Sequence, residues 1–162
     1  MAVEFKAGLK DVIAVNSSIC TVDGEAGKLY YRGYSITDLA RYATYEEIVH
    51  LLWYEELPTR IQLDSLSAQL AQARPLPEPV VASMRTYPKT AHALEALRTA
   101  VSVIGLYDPD AHSTAPDATL RKAVRLTAQI PVMVGSWHHL RQGREPVRPR
   151  TDGPTEIGRA HV

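Results

Sequence analysis

The chain has 162 residues, enough for one domain with a sizeable core or for part of a larger one. Its 18 Lys and Arg balance 18 Asp and Glu, so no net field recruits nucleic acid or an anionic membrane. Apolar residues at 45% argue against disorder, and the one cysteine, Cys20, has no partner for an internal disulfide, which points to a reducing, cytoplasmic compartment. Residues 1–10 carry Glu4 and no apolar centre, unlike a secretory signal. No apolar run approaches the roughly 20 residues that span a bilayer.

Residues 18–32 read as a hairpin. Its arms, 18–22 and 28–32, are rich in β-branched and aromatic residues, and Asp23-Gly24 with Gly27 supplies the turn. Gly33 ends the second arm. A lone hairpin is marginal in water, so this one needs helices to lean on, with Tyr30, Tyr31 and Tyr34 packing between them. Ser35 or Thr37 caps a short helix through Ile36, Leu39 and Ala40. Thr44 and Glu47 have capping-box spacing and open a helix that buries Ile48, Leu51 and Leu52 until Pro58 stops it. Thr59 caps the next, where Leu63, Leu66 and Leu70 recur at helical spacing.

Pro75, Pro77 and Pro79 then interrupt the chain, and Pro79 suits the first turn of a short helix ending near Tyr87-Pro88. Two longer helices follow. The first presents Leu94, Leu97, Val101 and Ile104 on one face and ends before Asp108-Pro109. After a polar loop over 110–117, Asp117 is placed to cap the second, with a stripe of Leu120, Val124, Ala128 and Val132. Pro131 inside it removes one backbone bond and kinks the axis. Gly143 suits a C-cap, and 144–150 alternates proline with arginine as an extended connector. The fold class is all-α, mainly helical, with a small N-terminal β-hairpin.

Few residues here suggest chemistry. His138 and His139 are neighbours on a helix, about 100° apart, and cannot share a ligand comfortably, which leaves a surface or interface role. His50 reads as a packing residue beside an apolar stripe. His92 stands near a helix start, where it contacts a loop or, alternatively, a ligand; His112 lies in a polar loop. With His161 these are scattered and give no zinc spacing. Cys20 is mid-strand, without the positive or helix N-terminal setting that activates a thiolate. Arg141, Arg144, Arg148 and Arg150 form the basic cluster, read as a solvated connector or, less simply, as a contact for a CoA phosphate. No glycine-rich loop precedes a helix, which excludes nucleotide-fold readings.

Four stretches in series carry a resemblance. They are 18–36, ending Leu29-Tyr30-Tyr31-Arg32-Gly33-Tyr34-Ser35-Ile36; Leu51-Leu52-Trp53-Tyr54-Glu55-Glu56-Leu57-Pro58-Thr59; Ala96-Leu97-Arg98-Thr99-Ala100-Val101-Ser102; and Leu140-Arg141-Gln142-Gly143-Arg144-Glu145-Pro146-Val147. Together they resemble the N-terminal part of citrate synthase, in the family's order and over most of residues 8–150. Where the family usually has His-Pro-Met, this chain has His92-Ala93-Leu94, which leaves room for a paralogue such as 2-methylcitrate synthase.

The resemblance implies an all-α enzyme with a large and a small domain. It implies a homodimer paired through helices near 94–104 and 120–140. The reaction would condense acetyl-CoA with oxaloacetate and then hydrolyse citryl-CoA. That chemistry needs a carboxylate base, hydrogen-bond donors for the enol and keto oxygens, and arginines for the substrate carboxylates. In the family an aspartate, two histidines and several arginines serve, all in later motifs, so no catalytic, substrate-binding or metal residue is assigned in this chain. No cofactor is expected, since CoA enters as substrate.

On this reading residues 1–155 are an incomplete N-terminal portion of the large domain, inactive alone. Residues 156–162, Glu156-Ile157-Gly158-Arg159-Ala160-His161-Val162, back-translate to a common sequencing-adapter read-through and are expected to be non-native; the alternative is a genuine tail. A second reading is a naturally short helical dimerisation module without activity.

Overall fold

The computed structural model describes residues 17–146 and 148–151; the proposed adapter-derived stretch 156–162 and the 1–10 segment lie outside these. The described chain is mainly helical with one small antiparallel sheet, as expected. It divides into two compact units, Met1–Pro58 and Thr59–Val162.

In the first unit, β1 (Cys20–Asp23) pairs antiparallel with β2 (Lys28–Tyr31), in the register Cys20 to Tyr31 and Asp23 to Lys28. The turn works as its residues dictate: the Asp23 carboxylate accepts from the Ala26 amide at 2.8 Å, and Gly27 takes φ +62°. The second arm ends at the Arg32-Gly33 step, as expected, but the sheet continues. Arg32 (φ 47°) and Gly33 (φ 88°) make a two-residue turn, and β3 (Tyr34–Ser35) pairs back on β2 with Tyr31 opposite Tyr34. A strand of two residues carries no alternation, so the pattern could not show it.

Ser35, rather than Thr37, caps α1 (Ile36–Tyr42) by accepting from the Thr37 amide. The Thr44–Glu47 capping box opens α2 (Tyr45–Tyr54), with Glu47 Oε2 accepting from the Thr44 amide at 2.6 Å. Here two expectations are corrected. The buried positions of α2 are Glu46, Val49, His50 and Leu51, while Ile48 and Leu52 are half-buried, so the inward stripe is rotated. The helix also stops before Pro58. Glu55 adopts the left-handed conformation at φ 72°, and its amide closes on the Leu51 carbonyl at 3.0 Å.

In the second unit, Thr59 caps α3 (Arg60–Ala73) with Gln62 completing the box. Leu66 and Leu70 are buried and Leu63 half-buried. The proline-rich link leads to α4 (Glu78–Arg85), with Pro79 in its first turn as expected. α5 (Ala93–Gly105) packs on α6 (Pro116–Arg141). The core joins Val80 and Met84 of α4, Ala96, Ala100 and Ile104 of α5, and Met133, Trp137 and Leu140 of α6.

The inward face of α5 centres on Ala96, Ala100 and Ile104, with Leu97 and Val101 half-buried against the same core; of the expected face, Ile104 is buried and only Leu94, 68% exposed, points away. On α6 the buried residues are Ala118, Ala128, Gln129, Met133, Ser136, Trp137 and Leu140, with Leu120, Val124 and Val132 half-buried. Of the stripe drawn from the sequence, Ala128 is buried and the other three positions flank the buried face.

α6 continues through Pro131 for 26 residues, about 39 Å at 1.5 Å per residue. Asp117 does not cap it: Pro116 takes the first turn, where proline is favoured, and this puts Ala115 at the N-cap. At the other end Gly143 (φ 73°) closes a Schellman motif, its amide meeting the Leu140 carbonyl and the Arg144 amide the His139 carbonyl, each at 3.0 Å. Among the described residues no helix is long and apolar enough to cross a membrane.

Candidate functional site

The second unit holds a cleft of about 270 Å³ between α4, α6 and the connector after α6. Its lining is mixed: Leu76, Val81 and Val132 stand beside the polar Ser136 and the charged Glu78, Arg85, Glu145 and Arg148. Arg85, at the end of α4, grips Glu145 of the connector through two hydrogen bonds of 3.2 and 2.5 Å. The Arg85 hydrogen bond holds the Glu145 carboxyl below its ordinary range. The connector is tied down twice more: the Glu145 carbonyl meets His139 Nδ1 at 3.0 Å, and the Arg150 carbonyl accepts from Arg74 at 2.9 Å. Ser136 Oγ at the cleft wall is buried without a hydrogen-bond partner, so no base is placed to activate it. The cleft is a recess with a neutralised rim.

A second cluster joins the α5–α6 loop to α6. Arg125 donates to Asp108 at 2.9 and 2.6 Å and to Asp110 at 2.7 Å; Arg121 donates to Asp110 at 3.1 and 2.6 Å and to Asp117 at 2.9 Å. Lys122 donates to the Ser113 carbonyl at 2.6 Å. Burial pushes the Asp108 carboxyl up, but hydrogen bonds from Arg125 and the Asp110 amide, with the Arg125 charge, outweigh it and leave the group below its ordinary range. Asp110, gripped by Arg121 and Arg125, is held far below that range. Carboxylates so fully claimed by guanidinium groups are not proton acceptors at neutral pH. The cluster is a structural clasp.

This clasp was not singled out from the sequence. The legible part was the spacing of four that sets Asp117, Arg121 and Arg125 on one helical face; the loop partners Asp108 and Asp110 carried no such signal.

The tempting residues take bland positions. His92 caps α5, its Nδ1 accepting from the Leu94 amide at 3.3 Å, and Glu95 completes the box. His50 is buried, with Nδ1 2.9 Å from the Glu56 carbonyl and its ring 4.6 Å from that of Tyr54. His138 and His139 have ring centroids 6.1 Å apart. His112 is exposed in its loop, and Cys20 is exposed in β1. Arg141, Arg144, Arg148 and Arg150 are all exposed, although the backbone carrying the last of these is pinned as described. His161 lies outside the described residues. Among the described residues no group of three or more His, Cys, Asp and Glu is placed to hold a metal ion.

Small sheet, capped helices, recess and clasp define a helical scaffold, and none of these clusters pairs a nucleophile with a base. A model of the family described as citrate synthase, C-terminal domain, matches residues 8–156, and the chain belongs to the citrate synthase family. It is 40% identical over 146 residues to citrate synthase 2 of Bacillus subtilis, covering 90% of this chain and 39% of that protein. It is 35% identical over 146 residues to 2-methylcitrate synthase 1 of Corynebacterium glutamicum, covering 90% and 38%. The fold matches the crystal structure of citrate synthase from Pyrobaculum aerophilum with a TM-score of 0.83 at 35% identity, over 90% of this chain and 39% of that one. The chain thus spans about two-fifths of the length of these relatives.

Proposed function

We propose that this chain is the N-terminal portion of the large domain of a citrate synthase subunit that condenses acetyl-CoA with oxaloacetate and water to give citrate and CoA. The observation that supports it most is the family match over residues 8–156 together with a fold likeness at 35% identity. The chain contributes helices: α4, α5 and α6 with their shared core. The carboxylate base, the donors to the enol and keto oxygens, and the substrate-binding arginines belong to motifs outside the stretches that carry the resemblance. Catalysis takes no metal or prosthetic group, and the CoA thioester is a substrate.

The subunit pairs as a homodimer through α5 and α6, a reading supported by the exposed apolar side chains Leu94 and Val134 on those helices. It works in the cytoplasm, which suits a lone, exposed cysteine. A second reading, 2-methylcitrate synthase, takes propionyl-CoA in place of acetyl-CoA. It is favoured by the Corynebacterium relative and by Ala93 at the start of α5. Resequencing the locus across the codon for Thr155, then assaying the product of the whole reading frame with either thioester, distinguishes the two. Faster CoA release from acetyl-CoA supports the first reading and faster release from propionyl-CoA the second.

A further inference from the structure

Arg32 and Glu55 are the only non-glycine residues with positive φ among the described residues, and they are ion-paired with each other at 3.1 Å. A left-handed backbone is disfavoured for any residue with a Cβ and persists only where other contacts hold it. Arg32 stands first in a two-residue hairpin turn that prefers Asn, Asp or Gly. Glu55 stands at a helix end that prefers Gly. Neither residue suits its own backbone; each meets the other's charge.

The guanidinium does more than pair. Its Nη1 also donates to Ser18 Oγ at 2.6 Å and its Nη2 to the Leu52 carbonyl at 3.4 Å. The Arg32 side chain is 11% exposed, against 70% for Glu55. The carbonyls of a last helical turn lack intrahelical partners and favour a nearby cation. α2 has no basic residue in its last turn, so Arg32 supplies that cation from the sheet. Meanwhile β1 is exposed at every position, and little apolar burial holds it.

We propose that the Arg32–Glu55 pair is a salt-sensitive conformational latch. It seats the sheet over residues 18–35 on the C-terminal end of α2, and the strain in both turns favours release once the charges are screened or removed.

Hydrogen exchange of the chain, read peptide by peptide, tests this. Raising salt from about 0.1 M to about 1 M, which shortens the Debye length from about 10 Å to about 3 Å, should speed exchange across 18–35 by about twofold, a modest effect because the carboxylate is exposed while the guanidinium is largely shielded from solvent. Peptides of α5 should not change. Glu55→Gln should give the same acceleration at low salt and abolish its salt dependence. Glu55→Gly relieves the strain while removing the carboxylate, so it should slow exchange in α2 yet still loosen 18–35. Exchange across 18–35 that ignores both salt and Glu55→Gln, or that Glu55→Gly slows, overturns the latch.

Discussion

At Asp108 burial raises the carboxyl pKa and two guanidinium hydrogen bonds lower it, and the bonds win. Its folded pKa therefore lies below its unfolded one, as does that of Asp110. The stability this confers is present above the ordinary value of 3.8 and is lost as pH falls from there through the folded values. Urea unfolding should show a clasp contribution that is constant from neutral pH to about pH 5 and fades at lower pH; Asp108→Asn should remove that part of the acid sensitivity. Arg125→Ala should lower the thermal midpoint by about 2–4 °C, the shift that roughly 1 kcal/mol gives in a chain of this size, after discounting for partial exposure. An unchanged midpoint would mark the clasp as a passive surface feature. The clasp was poorly legible because its acids lie in a loop, whereas the Thr44–Glu47 box was legible because a cap depends on residues three apart; at Thr59 the cap was legible and its Gln62 partner was not singled out.

Among elements, α5 shows where reading by hydrophobicity fails. Ile104 is buried as its spacing implies and Leu97 and Val101 pack against the core, yet Leu94 on the same template is exposed, and Ala96 and Ala100 take the centre of the buried face. Alanine is apolar but inconspicuous, and closeness of approach is a tertiary quantity that no periodicity encodes. Ala100→Leu should destabilise the chain by about 1–3 kcal/mol through overpacking, whereas Leu94→Ala should stay within about 0.5 kcal/mol in urea melts. The reverse ranking would restore the leucine face. The same logic explains α2, whose inward stripe was drawn one step off. The helices themselves were legible from caps and prolines, while β3 escaped because two residues make no pattern.

For the whole molecule, the family likeness extends along residues 8–156 but over only 39% of the length of the Bacillus relative. Four stretches in order were enough to show the family from sequence, because their register is hard to reach by chance. No catalytic residue was assigned from the sequence, because the family's catalytic motifs are not among the stretches that carry the resemblance. If α5 and α6 form the subunit contact, Leu94→Glu combined with Val134→Glu should shift the whole enzyme from dimer towards monomer in sedimentation. An unmoved dimer would place the contact elsewhere.

The most direct measurement is CoA release from acetyl-CoA with oxaloacetate, comparing the 162-residue chain with the product of the full reading frame. The expected result is turnover by the full product and none by the 162-residue chain. Turnover by the chain alone, or a full product silent with both acetyl-CoA and propionyl-CoA, would contradict the account.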